Sequence, residues 1–529
     1  MTWSMSFLLS ATACVLASAG FIYRRTKDLF HPALLFAAFA ALMYVAQPAY
    51  LLLTAAEDVF RFLEPEQVES VLVVNLFVLT GCFAGFALAT RKRSRIVPPQ
   101  PMATIVPKIV EKRLLLAASI LLVLGAVGYG TNLADYGWSG FLEIDAERYA
   151  EERPTGYLGE LTHTLIAAAI VAGLLAVGTR YRVQGIVLAG VAILPWLLSA
   201  FAGGRRGPAA IGLLLTLFVL YFWRPRKLEI RTFAWWIAGL VLVITFLIAN
   251  RGTLVERRYG EWAPLGEAIY LQPFEGNEFI YGGAAIVSKL HTWDFYWGRR
   301  QVMVYLVRPV PRHIWPEKYK DAATWLGLPD WIEANNAVFD QTAAFLLGWV
   351  APLGAAPGLA ADLWIDFGPA APIIGGLIAY GLVWLWARAR AGRIFASVVY
   401  GLAFTLMIYL VTQGEQAFFV RLLFSSMVVL VVFTICGVVR PRQRGAHLTG
   451  AVISKTTGVS CFQPRAHGDG ARRKLERALD VAPQSSTAQF VTSGRMRPSV
   501  DRRPPRQACA VTDMSGALAR ESSIKPKSI

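Results

Sequence analysis

The sequence predicts an all-α polytopic membrane protein. The first observation is composition: of 529 residues 55% are hydrophobic and only 16% charged, and the mean hydropathy is +0.46. Soluble domains carry roughly 25% charge. The second is distribution, because the missing charge leaves uncharged apolar runs of about the length that crosses a bilayer. The third is continuity: these runs lack the in–out alternation of a barrel strand, so helices are the way to satisfy their backbone in lipid. Composition thereby excludes a soluble enzyme, a secreted disulfide scaffold and a disordered regulator.

In chain order, the spans read as Met5 to Tyr23, Ala33 to Leu53, Val71 to Ala89, Leu114 to Tyr129, Leu161 to Gly178, Gly185 to Ala202, Gly207 to Trp223 and Phe233 to Ala249. They resume at Ala370 to Trp386, Ile394 to Thr412 and Phe418 to Val439, for about 11 transmembrane helices. The first run ends Ala17-Ser18-Ala19, but no positive charge precedes it, so it reads as a retained anchor rather than a cleaved leader. Basic clusters follow spans one, three, five and seven and recur at Arg388-Arg390-Arg393 and Arg440-Arg442-Arg444. The positive-inside bias makes that side cytoplasmic, with the N-terminus periplasmic and the C-terminus cytoplasmic.

Four regions result: transmembrane helices one to eight (1–249), a large periplasmic loop (250–369), the last three helices (370–439) and a basic tail (440–529). Alternation holds only if Ala343 to Ile365, with Pro352, Pro357 and Asp362, is a re-entrant or broken segment. The tail carries 17 Lys+Arg against 6 Asp+Glu, which is +11 of the net +17. It has no apolar period and reads as disordered, able to rest on anionic lipid. The remaining excess flanks spans, where it needs no nucleic-acid partner. The five cysteines are scattered without a CxxC pair, and the six histidines show no ligand spacing, so no metal is expected.

Chemistry concentrates in the large loop. Trp262, Trp293, Trp297, Trp315, Trp325 and Trp331 occur there among Arg, Asp, Glu, Asn and Gln. Aromatic faces stack on sugars and polar side chains bond hydroxyls, but an interfacial aromatic belt has the same composition. Outer basic residues run against the usual bias. Arg205 and Arg206, in a Gly-rich turn before span seven, suit a pyrophosphate clamp, or snorkel to headgroups. In Arg308-Pro309-Val310-Pro311-Arg312-His313-Ile314-Trp315-Pro316-Glu317-Lys318 the prolines stiffen a cationic segment. His313 fits a base or a structural hydrogen-bonder. Asp362 and Asp366 are four apart and share a face if helical; a carboxylate at membrane depth is a functional candidate. Near the last outer turn, Arg421 is expected to pair with Glu415 or a lipid phosphate.

Together, the Gly-Arg-Arg-Gly turn, the Pro311–Lys318 segment and Asp362-Leu363-Trp364-Ile365-Asp366-Phe367-Gly368-Pro369 resemble bacterial oligosaccharide repeat unit polymerases, the Wzy-type O-antigen and exopolysaccharide polymerases. The resemblance covers roughly Leu34 to Val439. Asp362 stands where the family often has Glu, and Gly204-Arg205-Arg206 replaces a simpler turn. The resemblance implies transfer of a growing glycan from undecaprenyl pyrophosphate to a lipid-linked repeat unit at the periplasmic face of the inner membrane, with no cofactor and no metal. It assigns Asp362, His313 and Arg312 to catalysis. Arg205, Arg206, Arg308, Lys318 and Arg421 would bind pyrophosphate; Trp315, Trp364, Asp366 and Glu415 would bind sugar. Partners would be the lipid-linked glycan, membrane lipid, and a chain-length regulator and flippase of the same pathway. The alternatives are an O-antigen ligase-type transferase and a transporter or flippase of lipid-linked oligosaccharide; paired similar halves would mark a transporter, and only one broken segment is evident.

Overall fold

The computed structural model describes residues 2–54, 56–93, 108–142, 156–177, 179–202, 206–223, 278–310, 313–328 and 356–438, with isolated residues between 231 and 246. Every regular element among them is helical. The helices are α1 (Thr2–Thr26), α2 (Pro32–Ala41), α3 (Gln47–Thr54), α4 (Ala56–Phe60), α5 (Pro65–Arg93), α6 (Lys108–Leu142), α7 (Thr164–Leu175), α8 (Arg182–Ala202) and α9 (Arg206–Trp223). After the loop come α10 (Glu278–Thr292), α11 (Arg299–Val302), α12 (Lys318–Leu326), α13 (Gly358–Phe367), α14 (Ala371–Arg390), α15 (Ile394–Thr405), α16 (Met407–Thr412) and α17 (Glu415–Ile435).

Among the described residues, eight helical stretches are long and apolar enough to cross a membrane, and Gly207–Tyr221 and Ile394–Thr405 are shorter apolar helices. These fit a multi-pass membrane protein. The span predicted at Phe233 to Ala249 and the tail beyond Val438 lie outside the continuously described residues.

Small residues let the central helices touch backbone to backbone. A Cβ on Gly81 or Gly85 of α5 would run into the carbonyls of Pro372 and Gly376 of α14, and one on Gly375 into Cys82 Sγ. This is the small-xxx-small packing of helices that meet in lipid. Two of these spans, Pro32–Thr54 and Gly358–Arg390, are interrupted. A π-helical turn, Leu42–Ala46, separates α2 from α3. A 3-10 turn, Gly368–Ala370, separates α13 from α14, with Gly368 at φ +51°.

Side-chain bonds gather the helix ends into two groups. At one end Asp28 accepts from Tyr221 at 3.3 Å and Trp386 at 3.0 Å and pairs with Arg390 at 3.3 Å. Arg25 donates to the Arg91 carbonyl there, and Arg113 at the start of α6 donates to Gly437 beyond α17. His31 is fully buried at this end. Its Nδ1 accepts from Ala33 N–H and caps α2, so its Nε2 carries the proton toward Thr90 Oγ1 at 3.2 Å. Up-and-down threading sends the starts of α9, α14 and α17 to the opposite end, where α10 to α13 pack.

Candidate functional site

At that opposite end a buried ionic cluster ties three helices, α11, α13 and α17, together. Asp362 and Asp366 sit one turn apart on α13, 1% and 0% exposed. Arg300, from the short α11, is 1% exposed and spans the pair: Nη2 donates to Asp362 Oδ1 at 3.1 Å and Nη1 to Asp366 Oδ2 at 3.2 Å. The planar guanidinium fork makes one side chain able to serve two carboxylates. Gln301 Nε2 donates to Asp366 Oδ2 at 2.6 Å and to Glu415 Oε1 at 2.5 Å. Gln416 adds a 3.3 Å bond from Nε2 to Asp366, and its backbone N–H faces Glu415 at 3.0 Å and Asp362 at 3.5 Å. The carboxylates thus meet the positive end of α17.

Local backbone explains how these groups converge. Gly414 takes φ +105°, and a Cβ there would overlap the Asp362 carboxylate. Only glycine fits a position that is both left-handed and closed by an acid. The preceding segment, Trp293–Gly298, docks on the end of α13: Tyr296 N–H bonds the Ile365 carbonyl at 3.2 Å and Trp297 N–H that of Asp366 at 2.6 Å. Arg299 secures it, bonding the carbonyls of Phe295, Tyr296, Leu326 and Gly327.

Three carboxylates face one guanidinium here. Two surplus negative charges at full burial must be offset by protons or a cation. Asp362, Asp366 and Glu415 each offer an oxygen within 4.8 Å of the others, which is a possible cation-holding set. Arg300 and Gln301 already donate to all three. The cluster is nonetheless rich in acceptors: Asp366 Oδ1, Gln301 Oε1, Gln416 Oε1 and the Tyr305 hydroxyl have no hydrogen-bond partner among the described residues. Burial, then Glu415, Asp362 and Asp366, push the Tyr305 phenol far up, which keeps it protonated. Burial opposes the charge on Arg300, but Asp366, Asp362 and Glu415 outweigh it and hold the guanidinium charged. Such a cluster is suited to taking up and releasing protons.

Beside it lies a cationic group. Arg308 Nη2 is 3.8 Å and His163 Nδ1 3.3 Å from the carboxylate of Glu160, which also feels Arg421. The Arg421 guanidinium stacks 4.4 Å from the centroid of Tyr409 and donates to the Ala417 carbonyl at 2.7 Å, while its Nε has no partner among the described residues. The Tyr409 hydroxyl lies 3.2 Å from where a Gly207 Cβ would be, so the first turn of α9 abuts this group.

The sequence candidates are distributed as follows. Asp362, Asp366 and Glu415 form the acidic cluster; Arg308 and Arg421 join the cationic group. Arg421 stacks on Tyr409 rather than pairing with Glu415, which takes Gln301 instead. Arg206 opens α9. Lys318 is buried and braces the loop, donating to the carbonyls of Arg308 at 3.0 Å and Val310 at 2.6 Å. Trp315 bonds Asp321 at 2.6 Å, and His313 is exposed. Trp364 is buried with its ring edge-on to Phe295. Arg205 and Arg312 lie outside the described residues. Sequence reasoning missed Arg300, Gln301, Gln416 and Glu160. The outer-side rule that flagged Arg205 and Arg308 applies equally to the Arg299-Arg300 pair and would have found it.

Comparison with protein-family models, curated proteins and solved structures gives no match. The resemblance rests on the quoted motifs alone.

Proposed function

We propose that this chain is a polyprenyl-pyrophosphate-dependent glycosyltransferase that joins lipid-linked oligosaccharide repeat units into a surface polysaccharide at the outer face of a bacterial inner membrane. The observation that carries the reading is the juxtaposition of a proton-holding carboxylate cluster with a group of guanidiniums at one end of a helical bundle. That pairing matches the reaction. An acceptor hydroxyl attacks the anomeric carbon of the growing chain, and the bond from that carbon to the phosphate oxygen breaks. The electron pair leaves with the lipid diphosphate, and the hydroxyl proton passes to a carboxylate.

In this reading Arg308, Arg421 and the amino end of α9 stabilise charge developing on the diphosphate. Arg205, Arg206 and Arg312 extend the same role, and Lys318 fixes the carbonyls flanking Arg308. Asp362, Asp366 and Glu415 receive the proton, while Arg300 keeps them from repelling one another. His313 remains the alternative base. The basic helix ends around Arg25, Arg91 and Arg390 then face the cytoplasm.

Purified protein supplied with lipid-linked repeat units tests the reading. Longer glycans support it. Transfer only to a capping lipid acceptor points to a ligase, and movement across vesicles without new bonds to a flippase; either result ends the polymerase assignment.

A further inference from the structure

The segment Trp293-Asp294-Phe295-Tyr296-Trp297-Gly298 alternates outward and inward. Trp293, Asp294 and Trp297 are exposed, whereas Phe295 and Tyr296 are buried. Trp293 and Trp297 have φ of +53° and +50°. A bulky side chain at positive φ is a genuine outlier, a strain that surrounding structure must hold. It is held by the two backbone bonds to Ile365 and Asp366 and by the Arg299 staple. The fold therefore sustains strained backbone where it turns two large apolar side chains outward rather than hiding them.

Both indoles stand nearly perpendicular to Phe295, with centroids 5.8 Å and 6.1 Å from that ring, so they are at most 11.9 Å apart. Asp294 lies between them in sequence, 72% exposed, 3.8 Å from Arg299. A carboxyl group between two indoles is costly to seat in acyl chains, and suits a ligand offering flat apolar faces and hydroxyls together. One of the segment's two backbone bonds, from Trp297 N–H, ends on the carbonyl of Asp366, a residue of the acidic cluster.

We infer that Trp293, Asp294 and Trp297 form a saccharide-binding platform that seats a sugar of the substrate glycan beside the Arg300–Asp366 cluster. The inference rests on the glycosyltransferase reading for the identity of the glycan, but binding is measured apart from transfer. Indole faces stack on the sugar's C–H faces, and the Asp294 carboxylate accepts from its hydroxyls.

The test uses full-length protein in nanodiscs labelled with 5-fluorotryptophan, the Trp293 and Trp297 resonances being assigned from Trp293→Phe and Trp297→Phe. The probes are oligosaccharides released by mild acid from the source organism's own surface polysaccharide, and a headgroup spin-labelled lipid. Both resonances are expected to shift with the oligosaccharide and escape broadening by the lipid. Trp293→Gly and Trp297→Gly, which keep the left-handed backbone accessible, should each weaken saccharide binding about tenfold. Broadening by the lipid without a saccharide shift would assign the indoles to the membrane interface and overturn the platform, as would no response to either probe. Saccharide binding by a wild type that elongates no glycan would retire the polymerase reading and leave the platform. Unchanged binding in both glycine variants would retire the platform alone.

Discussion

Arg300 reaches Asp366 across 66 residues of chain, Nη1 to Oδ2 at 3.2 Å, and its other arm holds Asp362. All three side chains are buried, so no water replaces a lost partner. Arg300→Met should destabilise the protein by about 3–5 kcal/mol, because it strands buried carboxylates. Arg300→Lys should recover only part, since a point charge cannot span both acids. Thermal unfolding in detergent checks this. The double change Arg300→Met with Asp366→Leu should cost less than the sum of the single losses.

Gly414→Ala is expected to be nearly as severe. The new methyl would occupy the Asp362 carboxylate's position at a φ of +105°, combining overpacking with backbone strain, about 2 kcal/mol or more. Melting temperature and glycan synthesis should both fall. A variant with unaltered melting would contradict the described turn.

Arg421→Ala should reduce polymer formation at least about tenfold while protein stays in the membrane, the loss of one charge-assisted contact to a diphosphate being worth roughly 1.5–3 kcal/mol. Arg206→Ala and Arg312→Ala should go further and abolish polymer, again with protein retained in the membrane. Glycan ladders from membranes of each variant provide the measurement; near-normal ladders in all three would remove the diphosphate assignment.

Lys318→Met tests bracing rather than charge. Its ammonium is spent on the Arg308 and Val310 carbonyls, so the variant should lower turnover by loosening Arg308. Proteolysis should cut the 308–318 segment faster than in the wild type. Equal cutting rates would exclude the bracing role.

Acid sensitivity follows from His31. Burial pulls its pKa from 6.5 down to about 3. An unfolded chain protonates this group near pH 6.5 and the folded one only near pH 3, so its contribution is complete above pH 6.5 and declines between the two values. At pH 5 the deficit is about 2 kcal/mol. His31→Gln, which removes the titration, should show a smaller drop in melting temperature between pH 7.5 and pH 5 than the wild type.

The apolar runs were legible because lipid forces each span to bury its own hydrogen bonds, so hydropathy alone locates α1, α5, α6 and α17. The Asp362–Asp366 spacing announced a shared face for the same reason that any helix does. What joins that face was hidden: Arg300 lies 62 residues before Asp362, and no local pattern records that α11 will lie against α13. Glu415 and Gln416 were equally remote, positioned by a single left-handed glycine whose role depends on a carboxylate 52 residues upstream. Trp364, which the resemblance assigns to sugar, packs edge-on against Phe295, a contact between residues 69 apart that no local pattern records.

The π turn at Leu42–Ala46 carries Tyr44, whose hydroxyl donates to the Val411 carbonyl and accepts from the Ala360 N–H, two residues from Asp362. A π turn holds one residue more than an α-helix of the same rise. Shortening that helix by a single amino acid would restore ordinary winding but draw Tyr44 part of a turn around the axis. The phenol would then swing off the rung it forms between Val411 and the acid-bearing helix, so length at this point in the chain is as constrained as side-chain identity.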